Sequence, residues 1–308
     1  MASQSKLRGI VPPLITPLAE DGSVDLTSLE AMIERQIGGG VHGIFALGSS
    51  GEVAYLTDSQ REQVLSFVVE KVAGRVPVIA GIIDITTNRV IDQARRAAQL
   101  GVDGLVATAP MYILTNMEEV ERHFRAIRAA VDLPLYAYDL PVCVHIKLDG
   151  KMLVRLGVDG VLDGVKDSSG DDVAFRRLVN FNKEAGSPLT ILTGHEVMVD
   201  GMLLLGADGA VPGLGNVDPA GYVKMWDLAQ EGKWDQVKEE QDRLAALFEI
   251  VFQASHLAGG SAGVGSFKTS LNELGVISTN RMSTPAGRID GETVSKINAI
   301  LAAAGVAQ

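Results

Sequence analysis

Four similar tetrapeptides punctuate the chain: Gly40-Val41-His42-Gly43, Gly101-Val102-Asp103-Gly104, Gly157-Val158-Asp159-Gly160 and Gly206-Ala207-Asp208-Gly209. Each precedes an apolar run short enough to be a buried strand. These runs are Ile44 to Leu47, Leu105 to Ala107, Val161-Leu162 leading to Gly164-Val165, and Ala210-Val211. Three more runs are announced by proline, at Pro77 to Ala80, Pro134 to Tyr138 and Pro188 to Leu192, and Ile10-Val11 brings the set to eight. Between them apolar residues recur at helical spacing, as in Leu26, Leu29, Ile33 and Ile37, or Val120, Phe124, Ile127 and Val131. Thr57 with Gln60, and Asn116 with Glu119, have the spacing of capping boxes. Regular alternation of strand and helix implies parallel strands with helical crossovers, and eight units favour closure. The expectation is an α/β fold, a (β/α)8 TIM barrel over residues 1–230. Beyond it lies a C-terminal helical extension, 231–308, packed on the barrel. In that extension Trp234 to Phe252 reads as a long amphipathic run, Gly259 to Gly263 as a break, and Asp290 to Ala304 as a closing helix.

A chain of 308 residues is within the range of one such barrel, so length does not demand a split. A formal net charge of −11 with no lysine/arginine cluster argues against a nucleic-acid partner. No apolar stretch approaches a bilayer span. The single cysteine, Cys143, cannot close an intrachain disulfide, and MASQSKLRG lacks the apolar run of a secretory leader. A cytoplasmic location is the expected one. The histidines show no zinc spacing, so no metal is expected.

Function in such barrels gathers where strands end. After the second strand, Gly48-Ser49-Ser50-Gly51-Glu52 offers hydroxyls and amides for a carboxylate or phosphate, or simply caps the next helix. Tyr112 after the fourth strand and Tyr138 after the fifth are either core residues with wet hydroxyls or catalytic groups. Lys166 follows the apolar sixth strand. It is either a solvated loop lysine paired to Asp167, or an amine that desolvation at the barrel mouth keeps partly neutral and nucleophilic. Thr193-Gly194-His195-Glu196 and Pro212-Gly213-Leu214-Gly215-Asn216, after strands seven and eight, can line a polar site or hold phosphate. A lone loop histidine such as His195 is given no catalytic part.

In this order and on these strands, Gly48 to Glu52, Tyr138-Asp139-Leu140-Pro141 and Val165 to Gly170 resemble the dihydrodipicolinate synthase and N-acetylneuraminate lyase family, over about Leu7 to Leu301. The resemblance implies class I, Schiff-base enzymes acting on pyruvate or another 2-oxo acid, with no organic cofactor. It implies Lys166 as the imine-forming lysine and Tyr138 as the hydroxyl at the reacting centre. Ser49 and Ser50 fall on the family's hydroxyl pair. Tyr112 falls on the tyrosine that completes a proton relay from a neighbouring subunit, which implies a homo-oligomer, commonly a dimer of dimers.

Two departures bear on the second substrate. Cys143 stands where synthases carry the arginine that clamps a carboxylate, and a thiol cannot supply that bidentate contact. Asp139 and Val144-His145 also replace the usual residues of that loop. Sialic acid lyases carry Gly-x-Asp-Glu after strand seven and a serine after strand eight; here Gly194-His195-Glu196 keeps one acid and Val211 occupies the second stretch. Gly194, Glu196, Val211 and Cys143, with Ser49 and Ser50, are therefore the expected substrate-binding positions. The expected function is aldol cleavage or condensation of a 2-keto-3-deoxy sugar acid. Alternatives are a dehydratase of such an acid, dihydrodipicolinate synthase, a non-catalytic 2-oxo acid-binding barrel, and a phosphate-binding isomerase.

Overall fold

All eight expected strands form: β1 (Gly9–Ile10), β2 (Ile44–Ala46), β3 (Val78–Gly81), β4 (Gly104–Thr108), β5 (Leu135–Asp139), β6 (Gly164–Asp167), β7 (Thr190–Thr193) and β8 (Gly209–Ala210). The structure, a computed structural model, describes residues 7–306; most of the amino-terminal stretch read for a leader lies outside the described residues. The strands are parallel and run β1-β8-β7-β6-β5-β4-β3-β2. The ring closes between its ends: His42 N–H donates to the Ile10 carbonyl at 2.8 Å, and Pro13 bridges Phe45. Asn216, wholly buried, reinforces that seam. Its side chain accepts from Ile15 N–H at 3.0 Å and donates to the Pro13 carbonyl at 2.9 Å. The chain is a TIM barrel, in which the register aligns Tyr136, Gly164 and Thr190 toward the amino-terminal ends of β5 to β7 and Tyr138, Lys166 and Leu192 toward their carboxy-terminal ends.

The tetrapeptide repeat has a physical purpose at the barrel's amino-terminal face. Its third residue precedes an even-numbered strand and accepts a hydrogen bond from the start of the odd-numbered strand before it. His42 Nδ1 accepts from Ile10 N–H at 3.2 Å, Asp103 from Val78 N–H at 2.8 Å and Asp208 from Ile191 N–H at 2.9 Å. The third copy departs from this pattern. Asp159 caps a helix end, and Asp163, four residues on, takes the equivalent bond from Leu135 N–H at 2.9 Å. The following Gly164 lets strands approach closely, since a Cβ there would lie 2.5 Å from the Tyr136 ring and 2.7 Å from the Thr190 carbonyl.

Helices α1 (Leu26–Gly38), α2 (Asp58–Val72), α3 (Thr87–Leu100) and α4 (Met117–Ala130) cover the first four crossovers. Both expected capping boxes are present, Thr57 with Gln60 and Asn116 with Glu119. A four-residue helix, α5 (Pro141–Val144), with proline at its first position, precedes α6 (Gly150–Val158). Then come α7 (Asp172–Glu184), α8 (Val199–Leu205) and α9 (Pro219–Gln230). The carboxy-terminal part is α10 (Trp234–Phe248), α11 (Gly259–Glu273) and α12 (Gly291–Ala303). Here one expectation is corrected. Gly259 to Gly263 is the first turn of α11, and the break falls before it, after a 3-10 segment over Glu249–Gln253. Among the described residues no helix is long and apolar enough to cross a membrane.

Candidate active site

Strand β6 carries Lys166 inward and Asp167 to the opposite side, as the two-residue period of a strand requires. Lys166 is buried at 5% exposure, its Nζ 4.0 Å from the Tyr138 ring centre and 5.0 Å from that of Phe45. Among the described residues no carboxylate oxygen comes within ion-pair distance of it. The reading of Lys166 as a solvated loop lysine paired to Asp167 is thereby corrected. Asp167 instead accepts from Ser169 N–H at 2.8 Å and from Lys147 Nζ at 3.3 Å. Lys147 also bonds Asp139, so one ammonium ties together the ends of β5 and β6, next to Tyr138 and Lys166. Burial pushes Asp139 up to about 6 against the pull of Lys147.

Tyr138 is the register partner of Lys166 across β5 and β6 and is likewise buried. Its hydroxyl lies 3.4 Å from Ser49 Oγ. The Ser49 turn is shaped by Leu47 and Glu52, both left-handed at φ +56. Gly81 on β3 makes room for it, since a Cβ there would sit 2.0 Å from the Leu47 carbonyl. A cavity of about 450 Å³ opens beside the Ser49–Tyr138 contact; its lining includes Ser49, the neighbour of the Tyr138 hydroxyl, with Ser50, Cys143 and Glu196, while Lys166 and Tyr138 themselves lie off the lining. Cys143 is on α5, and burial raises its thiol pKa.

Glu196 faces this cavity from the loop after β7. Burial pushes its carboxyl up to about 7, against hydrogen bonds from the Leu214 and Gly213 amides and the positive charge of nearby Lys166. The Leu214 bond is 2.6 Å long. The loop is held from outside by the Tyr222 hydroxyl and the Gln241 amide, which donate to the Glu196 carbonyl at 3.2 and 3.3 Å. A phosphate at the glycine-rich turn after β8 would have to displace Glu196 from the Leu214 amide.

The expected residues do not all converge. Gly194 does not line the cavity; it donates to the Asp167 carbonyl at 2.7 Å and packs against Ser168. Val211 is buried at 3% exposure and also lies off the lining. Tyr112 is 89% exposed, at φ +75, while its neighbour Met111 lines the cavity. Within one chain Tyr112 makes no contact with Ser49 or Tyr138.

Other residues join the site without having been singled out. Thr108 reaches the cavity with its Oγ1 buried and unpaired among the described residues. Phe248, Val251, Val264 and Phe267 bring the carboxy-terminal helices over the barrel mouth. Glu52 and Lys268 form an ion pair at 2% and 0% side-chain exposure. Lys268 Nζ also donates to the Arg281 carbonyl at 2.9 Å, and Glu52 accepts from Ser283 N–H at 2.7 Å. This pair pins α11 to the Ser49 turn. The amphipathic pattern of α10 was visible in the sequence, but nothing in it marked which residues would face a barrel loop.

Residues 6–304 match the model of the dihydrodipicolinate synthetase family. The chain is 33% identical over 283 residues to the 4-hydroxy-tetrahydrodipicolinate synthase of Phenylobacterium zucineum, covering 91% of this chain and 92% of the relative. It is 33% identical to an uncharacterized DapA-like lyase of Halobacterium salinarum, covering 84% of each. Among solved structures, YagE, a prophage protein of the dihydrodipicolinic acid synthase family from E. coli K12 in complex with pyruvate, superposes with a TM-score of 0.91 at 25% identity, covering 97% and 99%. The chloride-inhibited dihydrodipicolinate synthase of Acinetobacter baumannii, complexed with pyruvate, gives 0.89 at 27%, covering 98% and 100%.

Proposed function

Because this chain belongs to the dihydrodipicolinate synthetase family, whose named relatives are synthases and lyases, we propose that it is a lysine Schiff-base lyase that makes or breaks the bond beyond C3 of a 2-oxo acid, with pyruvate as the simplest partner. The observation that carries the reading is Lys166 Nζ, buried at the carboxy-terminal end of β6, over the Tyr138 ring and without a carboxylate partner among the described residues. Such an amine is poised to attack a carbonyl. Two structural neighbours solved with pyruvate fit this reading.

The chemistry follows from the groups present. Neutral Lys166 Nζ attacks C2, and the Tyr138 hydroxyl relays a proton from nitrogen to oxygen. A second proton from Tyr138 lets the oxygen leave as water, giving a protonated imine and a phenolate. The phenolate removes a proton from C3, and the imine takes up the electron pair as an enamine. The enamine carbon then attacks an aldehyde, whose oxygen takes the Tyr138 proton. Water, deprotonated by the same phenolate, adds to the imine and frees Lys166. Cleavage is the reverse. Ser49, 3.4 Å from the Tyr138 hydroxyl, extends the proton path, and Tyr112 completes it from a neighbouring subunit. Ser49 and Ser50 hold the 2-oxo acid carboxylate.

The same steps serve a 2-keto-3-deoxy sugar acid or a dipicolinate precursor; the chain beyond C4 separates them. With Cys143 at the cavity wall, the carboxylate clamp of the synthases has no counterpart at that position. Incubation with pyruvate, reduction with borohydride and peptide mapping test the reading. A reduced pyruvyl adduct on Lys166 is expected, and an adduct elsewhere, or none, refutes it.

A further inference from the structure

The cavity beside the Ser49–Tyr138 contact is chemically lopsided. On the barrel side it is lined by the hydroxyls of Ser49, Ser50 and Thr108 and by Glu196, its one carboxylate free of a salt bridge among the described residues; Tyr55 and, on the first turn of α11, Ser261 add two further hydroxyls. Most of the remaining wall is hydrocarbon: Leu140 precedes α5 and Val144 ends it, while Phe248, Val251, Val264 and Phe267 come from the carboxy-terminal helices. The other carboxylate on the lining, Glu52, is neutralised by Lys268 and also accepts from Ser283 N–H, so it offers a ligand no open charge. Cys143, where a clamp would stand, is a thiol whose pKa partial burial raises, and it offers a ligand no positive charge.

A polyhydroxylated or carboxylated tail entering this space would give up water for hydrocarbon. Each hydroxyl buried without a partner costs roughly ten- to a hundredfold in binding, whereas each methylene buried gains roughly fourfold. At about 450 Å³ the cavity has the size of a site for a small organic ligand. We infer that the second substrate, on the lyase reading above, is an aldehyde with an aromatic or branched aliphatic tail, selected by the wall that α11 and the segment before it build over the barrel. The product is then a 4-hydroxy-2-oxo acid with an apolar tail. The enamine carbon forms the new bond to the aldehyde carbon, and the aldehyde oxygen becomes the C4 hydroxyl by taking the Tyr138 proton. The polar barrel side keeps the 2-oxo acid end, and the hydrocarbon wall takes the rest.

The test uses the full chain with saturating pyruvate and compares benzaldehyde and 3-methylbutanal with glyceraldehyde and aspartate semialdehyde, after the Lys166 adduct has been mapped on the same preparation. The expected result is a kcat/KM at least tenfold higher for the apolar aldehydes. Val264→Asn is expected to narrow the benzaldehyde-to-glyceraldehyde ratio by about tenfold. That ratio is taken within one variant, so partial misfolding, which lowers both rates alike, does not imitate the effect. Equal or faster turnover of glyceraldehyde or aspartate semialdehyde overturns the inference while leaving the lyase reading intact. So does failure to turn over any apolar aldehyde when Lys166 is trapped. Absence of an adduct on Lys166 overturns the lyase reading and this inference with it.

Discussion

Glu196 changes charge near neutral pH. Its carboxyl is pushed up to about 7 by burial, from an ordinary value of 4.5. Between those two values the folded chain holds a proton that the unfolded chain has lost, so stability from this group falls as pH rises and its cost is complete above 7. On the proposed reading, the same ionisation would put a negative charge in the cavity that receives the 2-oxo acid. The KM for pyruvate should therefore rise several-fold between pH 6 and 8, and Glu196→Gln should flatten that rise; steady-state kinetics across the range decide it. Tyr138→Phe keeps the ring over Lys166 and removes the hydroxyl, so the borohydride adduct should still form, more slowly. Aldol turnover should fall by roughly 10² to 10⁴, the usual weight of a positioned acid/base. The ends of short apolar strands marked Lys166 and Tyr138 only as candidates beside plainer readings, and it was the resemblance of three strand-end motifs to one family that implied their roles. Glu52 with Lys268 was not legible, since 216 residues separate them and neither belongs to a periodic pattern. Lys147 was unseen for a related reason: Asp139 stood out as unusual, but its counter-charge comes from a loop with no regular spacing.

Helix α11 shows how an element becomes part of a site. Its first turn is glycine-rich, which reads as a break because glycine lowers helix propensity, yet tertiary packing and the buried pair at Lys268 hold it. The eight strands and the two capping boxes were readable because each has a local signal, either an apolar run or a three-residue spacing. The third tetrapeptide stands apart: the acid that accepts from the start of β5 is Asp163, four residues beyond Asp159. Lys268→Met leaves Glu52 buried without its counter-ion. Breaking such a pair costs about 3–5 kcal/mol, so thermal denaturation should show a marked fall in Tm. Glu52→Gln combined with Lys268→Met should recover part of it, since no lone charge then remains inside.

As a whole the molecule presents an exposed apolar stretch, Tyr112, Ile113 and Leu114 at 89%, 53% and 84% exposure, next to Met111 on the cavity lining. If Tyr112 serves a neighbour's site, assembly and turnover are one property. Ile113→Lys with Leu114→Glu should lower both the sedimentation mass and the aldol rate, while a variant that stays assembled yet loses activity would speak against that coupling. At the opposite end of the barrel, His42, Asp103, Asp163 and Asp208 fasten the strands in four successive pairs. Asp103→Ala should cost about 1–2 kcal/mol of stability with kcat unchanged, a combination that calorimetry and kinetics together would establish. Groups this far apart with no shared partner contribute additively. The residues that choose a substrate can therefore be exchanged one at a time without loosening the ring, and such a chain can acquire a new specificity before it needs any compensating repair.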